Sequence, residues 1–164
     1  TNAHVVTGAG RITVRNAGDR SVRGARLVHL DPAIDVAILY VPGLESPAPP
    51  WTAKARRGTD AVVAGFPGGG SLVLGEARVR GQILVGDDTG PGSREVHVFQ
   101  GLVRPGNSGG ALLALDGSVL GLVFANAQDD DRTGFALTEG EVAKAIRSTR
   151  GATADVPTGA CPAT

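Results

Sequence analysis

Residues 106–126 read GNSGGALLALDGSVLGLVFAN, and the fold is decided by how that stretch must lie. Two apolar runs, 111–115 and 119–126, are broken apart by Asp116-Gly117 and have the length and composition of buried strands rather than helices. Ahead of them Gly106, Gly109 and Gly110 surround Asn107-Ser108. Glycines in that arrangement permit a strained turn that bares the serine hydroxyl and points backbone N–H groups at one spot. Neither half of the apolar stretch is long enough to cross a bilayer as a helix.

Working outward, the same β-type pattern recurs at 11–15, 22–30, 35–41, 60–66, 72–85, 95–100 and 134–137, each run bounded by Gly, Asp, Asn or Pro. Short strands at this spacing predict an all-β antiparallel sandwich or barrel, not a βαβ sheet. Residues 42–58 carry Pro42, Pro47, Pro49 and Pro50, whose fixed φ angles and missing N–H groups make a poor strand and a good connector. The chain therefore divides into a β unit at 1–41, a connector at 42–58, a second β unit at 59–138, a helix at 139–150 and a tail at 151–164. The helix is predicted from Thr138 as a cap, Glu141 three residues later as in a capping box, and an apolar stripe of Val142, Ala145 and Ile146. The tail, rich in Pro, Ala and Thr, is expected to be extended unless Cys161 ties it down.

Of 164 residues, 41% are apolar and 20% charged, an ordinary globular composition. Basic and acidic side chains balance at 16 each, and no basic run exceeds Arg56-Arg57, so nucleic acid is not an expected partner. The chain opens directly on a dense motif, without an initiating Met or a leader pattern, which reads as a cut chain. Cys161 stands alone and without zinc-type spacing, either a free thiol or half of a disulfide to a residue outside this chain.

A serine hydroxyl is a weak nucleophile, so a hydrolase that uses one needs an imidazole to take its proton, a carboxylate to hold the imidazole, and N–H donors for the oxyanion. Three blocks supply these parts. Thr1-Asn2-Ala3-His4-Val5-Val6 lets a histidine sit at a tight transition, Asp35-Val36-Ala37-Ile38-Leu39 places an acid at the mouth of an apolar strand, and Gly106 to Gly110 presents Ser108. The order His, Asp, Ser, with 31 and 73 residues between successive members, is the chymotrypsin order rather than the subtilisin or α/β-hydrolase order.

TNAHVV, DPAIDVAIL and GNSGGAL resemble the three blocks of bacterial trypsin-like serine proteases. GFPGGG at 65–70, VLGLVFANA at 119–127, TGFALT at 133–138 and the closing TGAC narrow the resemblance to the actinobacterial membrane-anchored periplasmic proteases associated with acid resistance. The resemblance implies a chymotrypsin-like double β-barrel with a C-terminal helix, in which 1–41 is the remainder of the first barrel and 59–138 the second. It implies His4 as general base, Asp35 as its orienting acid and Ser108 as nucleophile. The N–H groups of Gly106 and Ser108 would form the oxyanion hole, and Leu102, Val123, Phe124 and Ala125 a primary pocket for an apolar or small side chain. Protein or peptide substrates, an extracytoplasmic location, an upstream membrane anchor and a disulfide partner for Cys161 outside this chain follow by the same implication. No metal and no organic cofactor is expected. Ala111 departs from the family's usual Pro, and the strands that precede the TNAHVV block in the family are not in this chain.

Simpler readings compete at several positions. His29 and His97 lie inside strand runs, where each is expected to be a structural residue. Asp31-Pro32 is a turn-starting pair, so Asp35 is preferred to Asp31 as the acid. Gly68-Gly69-Gly70 lacks the Lys-Ser or Lys-Thr of a phosphate cradle and reads as a tight loop. Asp129-Asp130-Asp131 and Asp87-Asp88 lack calcium-loop spacing and read as solvated loops. Trp51 reads as a plug between the two β units. The rival to a serine endopeptidase is a truncated or inactive homologue that binds peptides at an exposed barrel edge.

Overall fold

The computed structural model describes residues 1–86 and 93–160. Its elements are α1 (Ala3–Val6), β1 (Ile12–Arg15), β2 (Val22–Asp31), β3 (Val36–Tyr40), β4 (Asp60–Gly65), a 3-10 turn (Pro67–Gly69), β5 (Val73–Gly86), β6 (Ser93–Gly101), β7 (Ala111–Ala114), β8 (Val119–Asn126), β9 (Thr133–Thr138) and α2 (Glu139–Ser148). Each β-type run of the sequence is a strand, because each couples an apolar face to a glycine, proline or aspartate boundary. Strands β1, β2 and β3 form an antiparallel sheet, and β4-β5-β6-β9-β8-β7 close into a six-stranded barrel.

The barrel is filled by Val63, Val79, Phe99, Leu112, Leu120 and Val123. Phe99 is fully buried, and a Cβ on Gly134 would stand 2.3 Å from its ring, so glycine there makes room for the aromatic. A second apolar layer, Val36, Val96, Leu122, Leu137, Val142 and Ala145, joins β3, the outer face of the barrel and α2. Residues 119–123 of β8 are buried throughout because the strand lies between these two layers, which is why it reads as a continuous apolar run rather than an alternating one.

The capping box needs correction. Thr138 precedes α2 but makes no side-chain cap bond, and its buried Oγ1 has no partner. Thr138 is also the last residue of β9, paired with Gly121, so its side chain is fixed by the strand. Glu141 does not reach back either: its Oε1 accepts the Glu95 N–H at 3.2 Å. The tail is not free of the body. Val156 N–H donates to the Leu27 carbonyl at 2.7 Å, Asp155 Oδ1 accepts the Leu27 N–H at 3.0 Å, and Gly8 N–H donates to the Thr158 carbonyl at 3.0 Å. Backbone bonds and the packing of Val156 on Val6, Leu27 and Ala37 hold it there.

In the connector, Thr52 N–H donates to the Val119 carbonyl and Val119 N–H to the Pro50 carbonyl, a short parallel bridge along β8. Trp51 lines a cavity of about 290 Å³ with residues of β3, β8 and α2. Cys161 and Asp87-Asp88 lie outside the described residues.

Candidate active site

His4 is carried by α1, a single turn whose entry residue Asn2 is fully buried. The Nδ1–H of His4 donates to Asp35 Oδ2 at 2.8 Å, and the His4 backbone N–H donates to Asp35 Oδ1 at 3.0 Å. A carboxylate gripped at both oxygens cannot rotate, so the ring is fixed as the tautomer that leaves Nε2 free to accept a proton. The carboxylate is largely covered, at 14% exposure, whereas the imidazole is half exposed at 49%. Asp35 sits at φ +60, a left-handed conformation that Asp tolerates better than most residues. The Asn2 amide donates to the Asp35 carbonyl at 3.0 Å and secures it. Thr1 and Ala37 exchange two further bonds, at 3.1 and 2.8 Å, which clamp the entry of α1 to β3.

Ser108 is half buried on a turn between β6 and β7. That turn is tightly supported on two sides. Gly68 N–H donates to the Pro105 carbonyl at 2.8 Å, and a Cβ on Gly106, at φ +95, would fall 2.5 Å from the Phe66 carbonyl oxygen. On the other side Gly109 N–H donates to the Val123 carbonyl, and Val123 N–H to the Gly110 carbonyl, each at 2.9 Å. Because a trans peptide points its C=O and N–H in opposite directions, holding the Pro105 carbonyl toward Gly68 turns the Gly106 N–H the other way. No backbone acceptor among the described residues takes the N–H of Gly106 or Ser108. The Ser108 turn meets the His4 segment at Gly109, where a Cβ would stand 2.3 Å from Thr1 Oγ1. The His4–Asp35 pair and the Ser108 turn are thus carried on neighbouring segments, joined where Gly109 meets Thr1.

Leu102 is exposed at the end of β6. Val123 directs its side chain into the barrel core and meets the Ser108 turn through its backbone alone. Phe124 is the extra residue of a bulge, since Val123 pairs with Ala136 and Ala125 with Phe135. Its ring lies 6.3 Å from that of Phe135 and 4.7 Å beneath the Arg94 guanidinium. Bulges re-aim side chains next to functional sites, and this one lies beside the Ser108 turn. Ala125 follows, partly exposed.

The other histidines stand elsewhere. His97 is buried in β6, its Nε2–H donating to the Leu120 carbonyl at 3.1 Å. Burial holds its pKa below the ordinary value. His29 pairs across from Ile38 in the first sheet. Asp31 Oδ1 accepts the Ala33 N–H at 3.0 Å, a local turn bond. Asp130 is occupied by the Arg132 N–H and the Thr133 hydroxyl. Gly68 and Gly69 lie in the 3-10 turn.

Two contributors were hidden within the motifs. Asn2 reads in the sequence as one of several small residues before His4, yet its amide secures Asp35. Gly68 reads as loop, yet its N–H sets the orientation of the Pro105–Gly106 peptide. Neither role is marked in the sequence: the burial of Asn2 and the bond from Gly68 exist only once distant segments meet.

Comparison with known proteins adds five findings. Residues 1–122 match the family model described as Trypsin-like peptidase domain. The chain is 46% identical over 167 residues to the serine protease Rv3671c of Mycobacterium tuberculosis strain H37Rv, covering 98% of this chain and 41% of the relative. It is 36% identical over 138 residues to a probable periplasmic serine endoprotease, DegP-like, of Pseudomonas putida strain W619, covering 82% of this chain and 27% of that protein. The crystal structure of the Rv3671c protease in its active form superposes with a TM-score of 0.92, covering 98% of this chain and 72% of that one. The HtrA-type protease AlgW with a decapeptide gives 0.81 at 25% identity, over 93% of this chain and 48% of its own. The chain therefore spans less than half the length of the curated relatives it matches.

Proposed function

The chain belongs to the trypsin-like peptidase domain family, and from that premise we propose that it is a serine endopeptidase of the trypsin/HtrA type that hydrolyses peptide bonds of protein substrates. The observation that carries the reading is the two-point grip of Asp35 on His4, at 3.0 and 2.8 Å, beside a serine turn in which the Gly106 and Ser108 N–H groups meet no backbone acceptor among the described residues. Ser108 Oγ attacks the peptide carbonyl as His4 Nε2 accepts its proton. Asp35 stabilises the imidazolium, and the Gly106 and Ser108 N–H groups hold the oxyanion. His4 then returns the proton to the departing amine, leaving an acyl group on Ser108. Water, deprotonated by His4, releases the acid and restores the serine.

Leu102, Phe124, Ala125 and the backbone of Val123 frame the pocket for the residue before the cleaved bond, and they favour an apolar or small side chain there. The named periplasmic relative supports an extracytoplasmic location. A membrane anchor belongs to the same proposal as a feature outside these residues; among the described residues no helix is long and apolar enough to cross a membrane.

A non-catalytic peptide-binding module is the second reading, favoured by β1, which among the described residues pairs with β2 alone. Labelling with a fluorophosphonate probe separates the two. Labelling that disappears in Ser108→Ala, together with cleavage of a protein substrate, is expected of the endopeptidase. A folded chain that binds peptides but takes up no probe would establish the binding module instead.

A further inference from the structure

The turn at 32–35 joins β2 to β3 and ends on Asp35, the acid of the candidate site. Its N–H donors are answered locally: Asp31 Oδ1 accepts the Ala33 N–H at 3.0 Å and the Ile34 N–H at 3.4 Å. Its Ala33 carbonyl is answered from the other β unit, where the Arg94 guanidinium donates to it at 3.5 Å. The two residues are 61 positions apart, so this bond ties the segment that carries the acid to the barrel rather than to itself.

The surroundings of Arg94 fit it for that task. It lies near the start of β6, where the next residue, Glu95, donates its N–H to Glu141 Oε1 of α2 at 3.2 Å, and Val96 is fully buried. The strand under the guanidinium is therefore anchored. The guanidinium stands 4.7 Å over the Phe124 ring, and no carboxylate among the described residues pairs with it. A planar cation lying on an aromatic face is attracted by the ring and keeps its N–H groups free for an acceptor at the edge. Phe124, the bulge residue of β8, and Ile34, the neighbour of Ala33, pack against the same apolar layer of Val36, Val96, Leu122 and Leu137.

Asp35 depends on support from both sides. Its backbone stands at φ +60, a conformation non-glycine residues rarely adopt, and Asn2 holds its carbonyl from the α1 side. We propose that Arg94 is a positioning residue, which holds the 32–35 turn on the barrel so that the Asp35 carboxylate meets both N–H groups of His4. The proposal rests on the endopeptidase reading. Arg94 acts through Ala33 and Phe124 and not on the reacting atoms. Hydrogen bonds weaken steeply with angle, so a small displacement of the turn is enough to loosen the grip on the imidazole.

The test compares Arg94→Ala, Arg94→Lys and Phe124→Leu with the wild type in kcat, KM and thermal unfolding. A readout independent of turnover is the downfield proton resonance of His4 Nδ1–H, assigned by its loss in His4→Gln. Arg94→Ala is expected to lower kcat by about tenfold to a hundredfold, the scale of a misplacement caused away from the chemistry, while KM moves by less than about threefold. The resonance is expected to broaden or move upfield in the same variant. Arg94→Lys keeps a cation over the ring without the planar fork, and is expected to recover part of both signals. Phe124→Leu is expected to weaken them, and the effects of Arg94→Ala and Phe124→Leu to be less than additive, because one contact serves both. An unchanged kcat and resonance in Arg94→Ala, or a lowered melting point with both unchanged in the folded protein, would leave the turn held by Asp31 alone and overturn the proposal. Should the wild type neither cleave nor take up a fluorophosphonate, the endopeptidase reading falls and the resonance decides the contact by itself. Its loss in Arg94→Ala would keep Arg94 as the support of Asp35, and its persistence would overturn both.

Discussion

Asp35 adopts a backbone conformation at φ +60 that Ala or Leu would resist, and it is held there by bonds to both carboxylate oxygens and to its carbonyl. Asp35→Asn is therefore the informative substitution, because Asn shares the tolerance for that conformation while losing the charge that stabilises an imidazolium. Its expected effect is a fall in kcat on the order of 10⁴-fold with little change in the unfolding midpoint, read by steady-state kinetics and thermal denaturation. Gly106→Ala acts on the other half of the site. At φ +95, with the new Cβ 2.5 Å from the Phe66 oxygen, the turn must shift and take its N–H with it. A loss of roughly 10²- to 10³-fold in kcat, the size attached to one oxyanion donor, is expected while binding of a peptide to the same protein persists. The His4, Asp35 and Ser108 blocks were legible because each combines a reactive side chain with small residues or glycines in a recognisable order. The support from Asn2 and Gly68 was not, because a side-chain amide and a backbone N–H acquire meaning only when distant segments meet.

Strands were easier to read than what joins them. Alternation of apolar residues and the placing of Gly, Asp and Pro depend on local physics, so every β-type run appears as a strand. The bulge at Phe124 escaped because an extra residue in a pairing register leaves no mark in a strand buried on both faces. The capping box failed for a related reason: Thr138 belongs to β9 before it belongs to α2. These two accounts of Thr138 differ in stability. Were its hydroxyl capping α2, removing it would cost about 1 kcal/mol. With Oγ1 buried and unpartnered, Thr138→Val is expected to be neutral or to stabilise by up to about 1 kcal/mol. Glu141→Ala, which removes the acceptor of the Glu95 N–H, is expected to cost about 1 kcal/mol. Urea denaturation of the two variants beside the wild type checks both, and a cost at Thr138 equal to that at Glu141 would restore the capping box.

The molecule as a whole carries an acid sensitivity in the barrel, separate from the candidate site. His97 is buried between β5, β6 and β9, with Nε2–H bonded to the Leu120 carbonyl and Nδ1 without a partner. Desolvation lowers its pKa below the ordinary 6.5, with the Leu120 carbonyl and Glu95 opposing only in part. The folded state then binds fewer protons than the unfolded one in the window between the depressed value and about 6.5, so stability rises with pH across it. Its contribution is fully present above about 6.5 and is lost as pH falls toward the folded value. The carboxylates act lower. Asp19, Asp116 and Asp130 are held below their ordinary 3.8 chiefly by hydrogen bonds from Ser21, Ser118 and Thr133, so what they contribute is present above 3.8 and disappears only below it. The urea midpoint of the wild type is therefore expected to fall between pH 7.5 and 5, and that of His97→Gln, which keeps a donor for Leu120 and has no ring nitrogen to protonate, to fall less. Equal slopes in the two proteins would move the acid sensitivity away from His97. Convergence only below pH 4 would place it on the aspartates, whose protonation both proteins share.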